Sequence, residues 1–287
     1  MSKANRFVSI GIPFYNNEDY LTFAIQSVIN QSHQDWELIL INDGSSDSSL
    51  EIAQYFVSID SRVRVISDGL NKKLPARLNQ LIDESKYKYI ARMDADDIMH
   101  PERLATQLSI MENNPDIDVL GTNAYTIDAN NNITGVRQGI SNEVVPVGSF
   151  VHPSVMAKTS WYKKNKYDEA ATKSQDTLLW KSTAASSNFQ ATRQPLMFYR
   201  EIAGNYYKKY FSSSKAFFKM SFFRLNYSSI FLLKKSIIAL LKGVLYFSFS
   251  VLKKEYILIN MRNKGRLIKP QINEGEKLLQ EVMVYQK

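Results

Sequence analysis

Four short apolar runs, each trailed by a segment with helical spacing, constrain this chain more than any other feature. Phe7–Ile12 reads as a buried strand; Leu21, Ala24, Ile25, Val28 and Ile29 then recur at the spacing of one helix face, behind the cap-like Asn16 and Asn17. Trp36–Ile41 is a second strand, and Leu50, Ala53 and Phe56 mark a second helix. Val63–Ile66, the helical run Leu74–Ile82 and the strand Tyr89–Met93 repeat the alternation. Strands interleaved with helices of this length predict βαβ units on a mainly parallel sheet, an α/β class whose ligands bind beyond the carboxyl ends of the strands. Tyr15, Asp43 and Asp94 each stand just past such an end.

The fourth strand runs into Asp94-Ala95-Asp96-Asp97. Carboxylates crowded at a strand end repel one another unless a cation lies between them. Hard oxygen ligands of this kind suit Mg²⁺ or Mn²⁺, with a substrate's phosphates completing the coordination. The competing reading is that the aspartates cap the next helix, where Pro101 suits the first turn; for Asp97 the cap is the better reading. A nucleotide needs an aromatic face for its base and a carboxylate or amide for the base edge. Tyr15 offers the first, and Asp43 with Asn42 the second, on a loop set by Pro13. Alternatively Tyr15 packs on the core, and Asn42-Asp43-Gly44-Ser45 is an ordinary turn leading to a helix cap.

Beyond Met111 the pattern changes. Val119–Ile127 and Ile133–Val136 flank a turn, Asp128–Asn132, and predict an antiparallel addition; Asp176 opens a helical run through Trp180. With 44% apolar residues in 287, the chain can bury a sizeable core. It has no cysteine, which excludes disulfides, thiolate metal sites and cysteine nucleophiles and is compatible with a reducing compartment. The short polar start, Met1–Phe7, carries no secretory apolar region, so a cytoplasmic location is expected.

In order, the loops present Pro13-Phe14-Tyr15-Asn16, Asn42-Asp43-Gly44-Ser45-Ser46-Asp47, Asp94-Ala95-Asp96-Asp97 and Gln175-Asp176-Thr177-Leu178-Leu179-Trp180. Over residues 6 to 200 this set resembles the family 2 inverting glycosyltransferases of the GT-A fold, of the type that builds bacterial surface polysaccharides. The resemblance implies a Rossmann-like nucleotide-binding sheet flanked by helices, a nucleotide-sugar donor, expected to be UDP-linked, and a divalent cation. It places Asp94 near the ribose, Asp96 on the cation bridging the diphosphate, and Asp176 as the base that deprotonates the acceptor hydroxyl, with Gln175 in place of the family's usual Glu. Lys73, in Asn71-Lys72-Lys73, stands where the family often has a glycine and is a candidate diphosphate contact; otherwise it is a solvated lysine. His152, before Pro153, falls where the family has an acceptor-side or phosphate contact; the alternative is a structural histidine.

Charge divides the chain. Between Gly204 and Pro270 there are 14 Lys or Arg against one acid, Glu255, although the whole chain carries only +8, so the remainder is net acidic. The segment is also rich in aromatic and aliphatic residues, which favours an anionic membrane surface over nucleic acid. The division predicts a catalytic unit over residues 1–203 and a basic helical appendage over 204–287. Ser236–Leu252, with Lys242 its one charge, is marginal for a span and reads as a helix lying in the membrane plane, with a shallow re-entrant hairpin or a fold-back onto the catalytic core as alternatives. A lipid-linked oligosaccharide acceptor fits that placement on the inner face of the cell membrane. Rival readings are a haloacid-dehalogenase-like phosphatase, which leaves Tyr15 and Asp43 without a role, and a non-catalytic basic protein binding membrane or nucleic acid. A sugar-phosphate nucleotidyltransferase lacks its glycine-rich phosphate loop here, and a calcium loop lacks its later ligands.

Overall fold

The computed structural model describes residues 6–137, 151–202, 204, 206–223, 229–262 and 269–283. Met1–Asn5 of the amino terminus and Ala203, the last residue of the expected catalytic unit, lie outside the described residues. Strands β1 (Val8–Phe14), β2 (Trp36–Asn42), β3 (Val63–Ser67) and β4 (Tyr89–Arg92) pair in parallel in the spatial order β3-β2-β1-β4. Every residue of β1, β2 and β4 is buried, which is why their sequences are continuous apolar runs rather than alternating ones. Helices α1 (Leu21–Ile29) and α2 (Ser49–Ile59) cover one face, meeting Leu38 and Leu40; α3 (Leu74–Glu84) covers the other, meeting Ile39 and Ile41. Gly11 on β1 allows α3 its close approach, because a Cβ there would run into the Leu81 side chain.

The sheet continues through β5 (Ile98–Met99), helix α4 (Arg103–Asn113), β6 (Val119–Ile127), β7 (Ile133–Arg137), β8 (Met156–Lys158), α5 (Thr159–Lys164), α6 (Gln175–Thr183) and β9 (Phe189–Arg200), with spatial order β4-β8-β6-β9-β5 and β7 beside β6. The expected antiparallel hairpin is β6–β7, its turn closed by the Asp128 carboxylate accepting from the Asn130 and Asn132 amides. Pairing of β8 antiparallel to β4, and of β9 parallel to β6, joins this addition to the first sheet. Two capping expectations give way. Asn16 and Asn17 do not cap α1: they tie the β1–α1 loop to the β2–α2 loop, Asn16 accepting from the Ser46 amide and the Asn17 amide donating to Ser49 Oγ. Asp97 does not cap a helix either, because α4 begins six residues later; its Oδ1 accepts from the Arg200 amide at the end of β9.

The carboxyl-terminal region is helical: α7 (Tyr206–Phe223), α8 (Ser229–Val251), α9 (Glu255–Arg262) and α10 (Lys269–Met283). α7 and α8 form an antiparallel pair, for which the small residues Ser236, Ala239 and Gly243 on α8 supply the flat seam. Ser214 and Ser236 exchange hydroxyl-to-carbonyl hydrogen bonds of 2.9 Å, and Phe211 lies against Gly243 where a Cβ would clash. The fold-back expected as one alternative is present in part. Phe217 and Met220 of α7 share a core with Leu178 of α6, and Leu279 and Val282 of α10 share one with Tyr125 and Phe198 of the sheet. The outer face of α8 is left uncovered, with Ile237, Leu241, Val244 and Phe247 exposed. Among the described residues no helix is long and apolar enough to cross a membrane.

Candidate active site

The carboxyl ends of β1, β2 and β4 open into a cavity of about 180 Å³ lined by Pro13, Tyr15, Asn17, Asp43, Leu74, Arg77, Asp94 and Asp96. Tyr15 keeps 49% of its surface exposed, so its ring is available to a base. Asp43 is buried and anchored: its carboxylate accepts from the Lys72 amide at 2.7 Å, the Lys73 amide at 3.1 Å and Arg77 Nε at 2.9 Å. Arg77 also holds Asp68, whose carboxyl is thereby kept well below its usual range. Asn42 is not among the lining residues; its amide donates to Ser67 Oγ and accepts from the Ser45 amide, fixing the loop that presents Asp43. Lys73 is in the left-handed region, with φ 71° and ψ 158°, a conformation suited to glycine. That conformation turns the Lys72 and Lys73 amides toward Asp43, while the Lys73 side chain is exposed and lines none of the site cavities described here.

Asp94, Asp96 and Asp97 converge, one oxygen of each lying within 4.8 Å of the others. Burial and the neighbouring Asp94 carboxylate push Asp96 up to about 6, against the pull of Arg200 and Lys209. Burial, with Asp96 and Asp94 beside it, raises Asp97 further. Asp97 Oδ2 is buried without a hydrogen-bond partner among the described residues. Three carboxylates converging on one point, two of them raised by burial and by their neighbours, with an orphaned oxygen among them, form a donor set that fits a hard divalent cation.

Asp94 also lines a larger cavity of about 500 Å³, whose wall includes Arg92, His152, Asp176, Tyr199, Tyr206 and Lys209. A third, of about 310 Å³, is lined by Asp94, Asp96, Tyr199, Arg200, Tyr206 and Lys209. The three spaces meet at Asp94. Asp176 sits in the first turn of α6, behind Ser174 in the left-handed conformation. Burial raises its pKa, offset in part by the Thr177 amide and by Arg92. His152, in a 3₁₀ turn over His152–Ser154, is bonded to the Tyr167 hydroxyl at 2.9 Å and lies edge-on to Trp180. Burial and Arg92 hold it neutral, so it contributes shape and a hydrogen bond to this wall rather than charge.

Several residues here escaped sequence reasoning. Arg92 is buried inside a strand and contacts Asp94, with Nε and Nη1 lacking hydrogen-bond partners among the described residues. Burial opposes its charge, but Asp94, Tyr167, Tyr162 and Asp176 outweigh it and keep it charged. A charged residue in an otherwise apolar strand, two positions before Asp94, was the available signal. Tyr206, Lys209, Tyr210 and Ser213 come from α7, on the far side of the expected domain boundary, and no motif marks them.

Comparison with known proteins agrees with this arrangement. The profile described as Glycosyl transferase family 2 matches residues 9–193. An uncharacterized glycosyltransferase, MJ1057 of Methanocaldococcus jannaschii, is 34% identical over 203 residues, covering 67% of this chain and 70% of that protein. The putative glycosyltransferase EpsE of Bacillus subtilis is 35% identical over 167 residues, 55% of this chain and 59% of that one. Two solved structures share the fold. S. aureus TarS 1-349 in complex with UDP-GlcNAc has TM-score 0.61 at 17% identity, covering 96% of this chain and 81% of that chain. The mannosyltransferase PcManGT from Pyrobaculum calidifontis, in complex with GDP-Man and Mn²⁺, has TM-score 0.56 at 10% identity, covering 96% and 84%. With a GT-A-like α/β sheet, carboxylates at its strand ends and a family match over most of its length, the chain is a glycosyltransferase of family 2.

Proposed function

We propose that this enzyme transfers a sugar, with inversion, from a UDP-linked donor to a glycan or lipid-linked acceptor in the assembly of a cell-surface polysaccharide. One observation carries the reading: the cavity flanked by Tyr15 and Asp43 and the cavity holding Asp176 are joined at Asp94, so a bound nucleotide sugar can reach from a base pocket to a basic carboxylate. Tyr15 stacks on the base, and Asp43 reads its edge. The uridine choice draws on TarS, which was solved with UDP and with UDP-GlcNAc, and the polysaccharide context on the putative teichuronic acid biosynthesis glycosyltransferase TuaG of Bacillus subtilis, 32% identical over 111 residues.

Asp94, Asp96 and Asp97 would hold Mn²⁺ or Mg²⁺, which supplies a Lewis acid for the departing diphosphate. Asp176 takes the proton of the acceptor hydroxyl; the oxygen attacks the anomeric carbon from the face opposite the nucleotide, the bond from that carbon to the diphosphate breaks, and an α-linked donor gives a β-linked product. Burial raises the pKa of Asp176, which makes its carboxylate a stronger base than an exposed one. The exposed apolar face of α8, with Lys234 and Lys242 on the same exposed surface, rests on the anionic inner leaflet and brings the larger cavity near a lipid-linked acceptor.

Calorimetric titration of UDP, GDP and dTDP, with and without Mn²⁺, on the wild type and on Asp96→Ala tests the reading. Binding of one nucleotide that needs both the metal and Asp96 is the expected result. Folded wild type that binds none of them in a metal-dependent way would sink the proposal.

A further inference from the structure

Six cations line the three cavities: Arg77, Arg92, Arg137, Arg200, Lys173 and Lys209. Each of the four arginines is held by an acid or by backbone oxygens, and the two Arg92 nitrogens without a hydrogen-bond partner among the described residues, Nε and Nη1, are buried. Arg77 is held by Asp43 and Asp68, Arg92 by Asp94, and Arg137 by Glu201 at 3.0 Å. Arg200 donates to the carbonyls of Asp96 and Asp128 and to the Asn131 amide oxygen. Lys173 and Lys209 make no hydrogen bond or ion pair among the described residues, and Lys173 lines only the cavity of Asp176. Lys209 lines that cavity and also the one walled by Asp94 and Asp96. Its ammonium stands 5.7 Å from the centre of the Tyr206 ring, and its three N–H donors have no hydrogen-bond acceptor among the described residues.

The charge balance at this point calls for such a group. A divalent cation among Asp94, Asp96 and Asp97 does no more than offset the carboxylates that bind it, so an incoming diphosphate still needs positive charge from the protein. As the bond to the sugar breaks, negative charge on the diphosphate increases, and an unpaired cation on a long side chain can follow it, as guanidiniums already held by acids and carbonyls cannot.

We infer that Lys209, carried by α7 and lying beyond the segment matched to the family, binds the diphosphate of the donor, so that the helical carboxyl-terminal region completes the donor site. The inference rests on the donor reading given above. It makes α7 a part of the enzyme's nucleotide-binding machinery as well as a support for α8. Lys208, the next residue, lines none of the site cavities described here and serves as the control.

The experiment is calorimetry on the full chain in Mn²⁺ with UDP and with UMP, which lacks the β-phosphate, comparing wild type, Lys209→Ala, Lys209→Arg and Lys208→Ala. Expected is a loss of about tenfold or more in UDP affinity for Lys209→Ala, with UMP affinity unchanged, most of the loss recovered in Lys209→Arg, and wild-type behaviour in Lys208→Ala. Lys209→Ala binding UDP as the wild type does would overturn the inference. So would equal losses for UDP and UMP, since that pattern reports a disturbed fold rather than a lost phosphate contact. Wild type that binds UDP well but owes nothing to Lys209 leaves the donor reading standing; wild type without metal-dependent nucleotide binding removes both.

Discussion

The sheet half of the molecule and its helical tail dispose of apolar surface in opposite ways. β1, β2 and β4 are buried along their whole length, with the polar pair Ser9 and Glu37 sealed inside by their own hydrogen bond, and the polar residues that reach a cavity stand where the strands stop. α8 buries a narrow seam of Leu232, Ser236, Ala239, Gly243 and Tyr246 and leaves the rest of its apolar side in the open, Leu241 at 64% and Val251 at 67%. A sheet covered on both faces has nothing left to bind with except its ends, so its chemistry collects there. A helix pair with one covered side still has surface to satisfy, and an apolar face ringed by lysines suits an anionic lipid layer. Tyr206 and Lys209 of the tail line cavities that Asp94 also lines, so the comparison is between the floor and one wall of a single site.

The largest break in that comparison comes from the floor. Asp96→Ala is expected to abolish metal-dependent nucleotide binding and to lower turnover by roughly a thousandfold or more, measured by calorimetry and by product formation, while vesicle binding by the tail is unchanged. Next is Asp176→Asn, expected to lower kcat by about 10²–10⁴-fold with nucleotide affinity intact. Because the base works only when deprotonated and burial raises its pKa, wild-type kcat at saturating metal should fall on acidification through a limb lying above the ordinary carboxylate range. The residual activity of Asp176→Asn should lack that limb.

The wall gives smaller effects. Reversing Lys234 and Lys242 to glutamate should weaken sedimentation with anionic vesicles by about tenfold or more, at roughly 1 kcal/mol for each basic residue lost, with UDP affinity unaltered. Equal binding to anionic and neutral vesicles by both proteins would break the proposed division of labour. Smallest is Lys73→Gly, expected to stabilise the fold by about 1 kcal/mol in denaturant unfolding, since the residue holds a glycine-like conformation and its side chain lines none of the site cavities described here.

The sequence disclosed the floor well because its information is local. Continuous apolar runs identify strands buried on both faces, and a carboxylate just past a strand must lie at the ligand edge of a parallel sheet. Tyr15, Asp43, Asp94 and Asp96 accordingly share one cavity. What could not be read were pairings across long separations. The use of Asn42 to brace its own loop, of Asp97 to receive the Arg200 amide 103 positions away, and of β9 to lie parallel to β6 all depend on where distant segments return. The tail was legible in charge and composition but not in placement. Lys209 reads as one lysine among many until the fold sets it above Asp94.

Gly11 shows how such a site can be governed from a distance. The atom it lacks is the clearance that lets Leu81 seat α3 against the sheet; α3 carries Arg77, and the chain enters it through Lys72 and Lys73, whose amides clasp Asp43. The width of the cavity between Tyr15 and Asp43 is therefore set by an omission on the neighbouring strand. One methyl group added there would lift the helix and loosen the clasp, and a change that touches no nucleotide would present, in a binding assay, as a defect of the pocket itself.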